Sequence, residues 1–175
     1  MSAVVFAAHN DDESLFCFYQ LLRLRPHVVV CLRAARNHQQ REAETEAAMA
    51  VAGRTWEQWD FPEDRFDWDA LRREINRAAN NFATVIAPAW ETGGHEHHNA
   101  VADACAEIRP DVRYLTYRRG FGRSEGGIKI APSLWERELK ARALNCYVSQ
   151  RQDERTSAWF PPGAYGTLDE WIIRP

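Results

Sequence analysis

The sequence predicts an α/β protein with a Rossmann-like, mostly parallel sheet and helices on both faces. Short β-branched runs alternate with longer stretches of helical periodicity along the chain. Such alternation is typical of doubly wound folds, in which helices connect parallel strands. Because 175 residues with 45% hydrophobic content can bury a core of their own, we expect residues 1–175 to form a single domain.

The first half of the chain divides into three strands and three helices. Pro26 ends the first helix, and Gly53 provides a left-handed cap for the second. The run HVVVCL between them is typical of a buried strand. The predicted elements are strand 3–7, helix 14–24, strand 27–32, helix 37–52, strand 55–61 and helix 68–80.

The second half continues the alternation. ATVIAPA (83–89) and VRYLTY (112–117) are predicted strands, and a helix begins near Asn99 between them. Glycines mark a loop over 120–127, and a last helix is predicted over 133–148. The final twenty-odd residues lack periodicity, so we expect them to wrap the surface.

Charge and composition argue against nucleic acid and membranes as partners. The net charge of −3 gives no basic surface excess. No apolar segment approaches the ~20 residues that a transmembrane helix needs, and the first residues lack a signal-peptide pattern. The four cysteines form no CxxC pair, as is typical of reduced thiols. We therefore expect a cytoplasmic protein, whose oligomeric state the sequence does not determine.

Two charged clusters follow predicted strands. HNDDE (9–13) comes directly after the first strand, and GGHEHHNA (93–100) follows the fourth. In open α/β sheets, ligands bind beyond the carboxyl ends of the strands. We therefore expect both clusters at the same edge of the sheet, where they would form a shared site.

These residue types are typical of a metal site. His9 and Asp12 are three positions apart at a turn, and a third ligand could come from His95, His97 or His98. Two histidines and one carboxylate leave a position on zinc open for water, and Asp11 could take the proton from that water. The alternative is that the acids only favour a helix N-terminus and the histidines are solvated. Because both charged clusters are expected at the same edge of the sheet, we favour the metal site.

With these motifs, the chain resembles the PIG-L/LmbE family of zinc-dependent N-deacetylases. HNDDE and HEHH are similar to the family's His-Pro-Asp-Asp-Glu and His-Pro-Asp-His motifs. REAETEAAMAVAG (41–53) is similar to its Arg-x-x-Glu helix, and KARALNCYVSQ (140–150) to its late helix ending in Ser-Gln. The resemblance implies a zinc-dependent hydrolase, although the ligand types also permit another divalent ion.

The resemblance also implies roles for individual residues. His9, Asp12 and His98 would be the zinc ligands. Asp11 would be the general base, and His95, as a protonated histidine, would stabilise the oxyanion or protonate the leaving amine.

Substrate contacts are less narrowly defined. The family's helix arginine, often a substrate contact, corresponds to Arg41 in this sequence. The alternative is that Arg41 only forms a surface pair with Glu44. An acid after the third strand contacts the sugar in relatives, and both Glu63 and Asp64 fit this position, of which we select Asp64. Trp90 is a candidate on chemical grounds, because aromatic faces suit sugar rings.

Two positions depart from the family pattern. Asn10 replaces the usual proline, and His97 replaces the aspartate that would hold a neighbouring histidine in its cationic form. His97 is also a rival third ligand.

The expected activity is removal of an N-acetyl group from an amino sugar or its conjugate, a GlcNAc-type substrate, with metal-bound water as nucleophile. The alternatives are an amidase on a non-sugar or thiol conjugate, and a metal-binding module without turnover.

Overall fold

The computed structural model describes residues 2–108, 113–117, 128–153, 157, 160 and 170–173. The strands in these ranges are β1 (Ala3–Ala7), β2 (His27–Arg33), β3 (Trp56–Pro62), β4 (Thr84–Pro88), β5 (Arg113–Tyr117), β6 (Ile128–Lys129) and β7 (Trp171–Ile173). The helices are α1 (Asp12–Phe16), α2 (Phe18–Leu24), α3 (His38–Ala52), α4 (Trp68–Ala79), α5 (Glu96–Ala106), α6 (Leu134–Leu144) and α7 (Val148–Gln152).

All seven strands belong to one sheet, in the order β3-β2-β1-β4-β5-β7-β6. The first five strands in this order are parallel, and β7 runs antiparallel to both β5 and β6. Strand β1 lies at the centre, where Val5 pairs with Val28 on one side and Ile86 on the other. The prediction of a mostly parallel α/β sheet is confirmed.

Helices cover both faces of the sheet, as the sequence predicts. Val5, on one face, belongs to an apolar cluster with residues of α1, α2, α3 and α6. Its neighbour Val4 points to the other face and belongs to a cluster with residues of α4 and α5. Because successive strand residues point to opposite faces, β1 contributes to both clusters and is fully buried.

Three predicted helices have different bounds in the structure. The expected helix 14–24 is divided at Cys17, whose φ of −138° is not helical. The expected helix 133–148 ends at Leu144, and the short α7 follows. Helix α5 begins at Glu96, three residues before the predicted start, so the HEHH motif lies on its first turn instead of in a loop.

The C-terminal expectation was wrong in part, because Trp171–Ile173 forms β7 within the sheet. A strand of three residues is too short to show periodicity in a sequence. The predicted glycine loop 120–127 lies outside the described residues, and the single-domain assignment stays a prediction. Among the described residues, no helix combines the length and apolar character that crossing a bilayer requires.

Candidate metal site and surrounding cavity

The two charged clusters meet at one edge of the sheet. Strands β1 and β4 are parallel neighbours, so the loops that follow them leave the sheet side by side. The imidazole ring of His9 lies 5.1 Å from that of His95 and 5.3 Å from that of His98, between ring centroids. The inference that both motifs share an edge is confirmed.

The loop after β1 is held in an unusual backbone conformation. Asp11 has a φ of 117°, a region that residues other than glycine rarely adopt. Its carbonyl accepts hydrogen bonds from the Ser14 and Leu15 amides at 3.0 and 2.8 Å, which begins α1. The turn thus places Asp11 immediately before α1, whose first residue is Asp12.

Asp12, His9 and His98 form the group best suited to a metal ion. Asp12 Oδ2 lies 3.4 Å from His9 Nδ1 and 3.3 Å from His98 Nε2. Tetrahedral zinc with ligand bonds of ~2.0–2.1 Å requires ligand-to-ligand distances of ~3.3–3.4 Å. Both distances from Asp12 match this spacing, and ligand atoms of the three residues lie within 4.8 Å of one another. We conclude that these residues fit the ion.

Burial and charge support the same group. Burial opposes ionisation of Asp12, but the nearby charge of His98 and the hydrogen bonds from both histidines hold its pKa well below the usual value. His98 Nδ1 is buried with no hydrogen bond partner among the described residues. Leaving a polar atom in this state costs ~1–3 kcal/mol, so the fold holds this ring beside Asp12 at a cost in stability.

His95 and His97 occupy the first turn of α5. His95 caps the helix, its Nδ1 accepting the backbone N–H of His97 at 3.3 Å. His97 Nδ1 lies 2.8 Å from His9 Nε2, which is hydrogen bonding distance. Burial and the nearby charge of His9 lower the pKa of His97. His9, His95 and His97 thus form a second group of converging ligand atoms.

A short loop before α5 fixes where these histidines start. Asn99 bridges this loop, accepting the Glu91 amide at 3.0 Å and donating to the Glu91 carbonyl at 2.9 Å. Gly94 packs so closely that a Cβ there would lie 2.9 Å from the Glu91 Cβ. A larger residue at this position would have to displace Glu91, and with it the hydrogen bonds between Glu91 and Asn99.

The metal group opens into a cavity of about 980 Å³. Its lining contains most of the residues that the sequence predicts for the site, with Trp90 as the exception. Trp90 is 56% exposed and is not part of this lining. The predicted residues in the lining are His9, Asp11, Asp12, Arg41, Glu63, Asp64, His95, His97 and His98.

The candidates for substrate contact differ in their hydrogen bonds and exposure. Arg41 Nη2 donates to the Asn10 carbonyl at 3.0 Å, whereas Glu44 is buried and receives hydrogen bonds from Ser149. Glu63 is half-buried and accepts the Ala35 amide at 3.0 Å. Asp64 is exposed in the cavity, which leaves it more available to a ligand than Glu63.

Two contacts near the site were not predicted. Asn10 is buried and donates to Thr45 and Gln58, at 3.0 Å each, so it anchors the loop to α3 and β3. Glu44 accepts both the amide and the hydroxyl of Ser149, which ties α3 to α7. Both residues lie in segments that resemble the family's motifs, Glu44 in Arg-x-x-Glu and Ser149 in Ser-Gln. Only the fold shows that the two side chains are in contact.

The sequence matches the PIG-L family (GlcNAc-PI de-N-acetylase) over residues 4–109, which is more than half of the chain. The chain therefore belongs to the PIG-L family. No curated protein matches it.

Solved structures with the same fold include two deacetylases and a hydratase. A deacetylase of teicoplanin biosynthesis has a TM-score of 0.76 at 15% identity, covering 100% of this chain and 99% of that one. N,N'-diacetylchitobiose deacetylase from Pyrococcus horikoshii has a TM-score of 0.73 at 13% identity, covering 99% and 84%. GalB, a 4-carboxy-2-hydroxymuconate hydratase from Pseudomonas putida, has a TM-score of 0.71 at 16% identity, covering 95% and 82%. At these identities the likeness shows the fold alone.

Proposed function

We propose that this protein is a metal-dependent N-deacetylase that acts on an N-acetylated amino sugar or its conjugate. The observation that carries the proposal is the convergence of His9, Asp12 and His98 beside Asp11, in the lining of a polar cavity. Membership of the PIG-L family supports the reaction class.

The ligands of the ion would be His9, Asp12 and His98. A bound zinc ion would polarise the acetamide carbonyl and lower the pKa of water. Asp11 accepts a proton from the attacking water, whose oxygen forms the new bond to the carbonyl carbon. His95 stabilises the oxyanion and then protonates the amine as the C–N bond breaks. The products are acetate and a free amine.

The cavity supports a hydroxyl-rich substrate. Its lining includes Arg41 and Asp64, and both can hydrogen bond to sugar hydroxyls. We propose Asp64 as the contact because Glu63 already accepts the Ala35 amide. Trp90, which is exposed, remains a candidate platform for a sugar ring. Two neighbours in fold are a deacetylase of teicoplanin biosynthesis and an N,N'-diacetylchitobiose deacetylase, and the second of these is consistent with this substrate class.

The free state of all four cysteines supports the expected location in the cytoplasm. Cys17, Cys31 and Cys105 are buried, Cys146 is half-buried, and none forms a disulfide. Thiols in this state are typical of a reducing compartment.

Acetate release tests the proposal. The zinc-loaded protein is incubated with N-acetylglucosamine, its glycosides, diacetylchitobiose and a non-sugar acetamide, and acetate is quantified. We expect release from the sugars, and loss of release in Asp11→Asn with zinc content unchanged, because Asp11 is next to the ligands without being one of them.

Each alternative has its own outcome. Release from the non-sugar acetamide alone would replace the sugar deacetylase with another amidase. Stoichiometric zinc with no release from any substrate would indicate a metal-binding module. Equal release by wild type and Asp11→Asn would exclude Asp11 as the base.

A further inference from the structure

We propose that Glu13 is a positioning residue, which holds the backbone of Asp11 so that its carboxylate faces the cavity. The inference rests on the proposed function for its catalytic meaning, but the contact itself can be tested without catalysis. Glu13 does not line the cavity, so it acts through Asp11 and does not touch the substrate.

Glu13 is a fully buried carboxylate with hydrogen bonds on both oxygens. Oε2 accepts the backbone N–H of Asp11 at 3.1 Å. Oε1 accepts the hydroxyl of Ser14 at 3.0 Å and that of Tyr147, which is also fully buried. A carboxylate in such surroundings is costly to bury unless its oxygens are satisfied, so this network has one preferred geometry.

The position that Glu13 holds is a strained one. Asp11 has φ 117° and ψ −28°, a conformation that is strained for a residue with a Cβ and persists only where its surroundings determine it. The amides of Ser14 and Leu15 hold the Asp11 carbonyl, and Glu13 holds the Asp11 N–H. Both ends of the residue are therefore fixed, which sets the direction of its Cα–Cβ bond.

Tyr147 makes the arrangement depend on a distant part of the chain. It lies in the short connection between α6 and α7 and holds Glu13 from the side opposite Asp11. Helix α1 alone cannot supply this constraint. The orientation of Asp11 is thus linked to correct docking of the segment after α6.

The test compares Glu13→Ala with Glu13→Gln. Glutamine keeps an oxygen for the Asp11 N–H and an NH₂ group for the two hydroxyl oxygens, whereas alanine leaves all three groups without their acceptor. We expect kcat for acetate release to fall about 100-fold in Glu13→Ala, with KM changed less than about 3-fold. Glu13→Gln should keep kcat within about 5-fold of wild type.

A matched control separates positioning from stability. Glu136→Ala removes another buried carboxylate, at the start of α6 and away from Asp11, and should lower the melting temperature with kcat unchanged. If Glu13→Ala does not fold, Tyr147→Phe replaces it, and we expect about a 10-fold lower kcat at unchanged KM. Equal kcat in wild type and the folded variant would overturn the proposal.

Amide hydrogen exchange tests the contact independently of activity. The Asp11 N–H should be protected in wild type and Glu13→Gln, and should exchange at least ~10-fold faster in Glu13→Ala. If wild type releases no acetate but shows this pattern, the deacetylase assignment fails and the backbone contact stands. If the Asp11 N–H exchanges equally fast in all three proteins, the positioning role is wrong.

Discussion

At the residue scale, His9 is the residue on which the candidate site depends most. Its Nδ1 faces Asp12 and its Nε2 faces His97, so both ring nitrogens have defined neighbours. Metal-binding histidines commonly use the second nitrogen for a partner that fixes the tautomer. His97 stands where the family pattern has aspartate, and in this fold it can orient His9 from that position.

This geometry predicts different effects for two neighbouring histidines. His98→Ala should abolish stoichiometric zinc binding, because it removes a ligand atom beside Asp12. His97→Ala should keep about one zinc per chain at saturation and lower the affinity about 10- to 100-fold, because only the partner of His9 is lost. Elemental mass spectrometry of the dialysed proteins, with a zinc titration, measures both.

The result also decides between the two ligand groups. Loss of zinc in His97→Ala with retention in His98→Ala would assign the ion to the group of His9, His95 and His97. Wild-type protein that binds no metal after zinc is supplied would contradict the hydrolase proposal as a whole.

At the element scale, α6 shows how a helix start is joined to a neighbouring helix. Ser133 and Glu136 form a capping box, and Arg23 at the end of α2 donates to Glu136 at 2.7 Å. The hydrogen bond from Arg23, together with those from Ser133, lowers the pKa of Glu136 to about 2 although burial opposes its ionisation. The carboxylate therefore favours the folded state only while it is ionised.

Glu136→Gln should consequently destabilise the protein in a pH-dependent way. At pH 7 we expect a loss of ~1–2 kcal/mol in unfolding free energy, because a charge-assisted hydrogen bond becomes neutral. Since the folded pKa lies below the unfolded one, the wild-type advantage is complete above about pH 4.5 and disappears as pH falls towards about 2. Urea unfolding at several pH values measures this, and a constant difference across that range would contradict it.

At the scale of the whole molecule, a buried ion pair attaches the C-terminal strand region to the helical layer. Lys140 Nζ contacts Glu170 Oε1 at 2.6 Å and donates to the Leu15 carbonyl at 2.8 Å, with both charged side chains fully buried. Glu170 Oε2 also accepts the Tyr19 amide at 2.9 Å. One carboxylate thus joins α6, the start of α2 and the entry to β7.

Removal of one partner should be more harmful than removal of both charges. Lys140→Met leaves Glu170 buried without its countercharge, and we expect a loss of ~3–5 kcal/mol. Lys140→Met combined with Glu170→Gln should recover part of that loss, because glutamine is neutral and keeps an acceptor for the Tyr19 amide. Urea denaturation midpoints measure both variants, and a double variant less stable than Lys140→Met would contradict this account.

The sequence by itself determined the α/β class, most of the regular elements and the two motifs that meet at the site. Local patterns suffice for these features, because a buried strand and an amphipathic helix have distinct periodicities and parallel strands align their carboxyl ends. The placement of His9, Asp12 and His98 at one edge follows from that topology.

Only the tertiary structure decided which side chains meet across the chain. The contact between His97 and His9, the anchoring of Asn10 by Thr45 and the support of Asp11 by Glu13 depend on side-chain directions that no periodicity encodes. Strand β7 and the pairing of Glu170 with Lys140 are long-range contacts of short segments. The physical reason is that specific polar contacts form where the packed fold brings groups together, whereas the patterns in a sequence report only on neighbours along the chain.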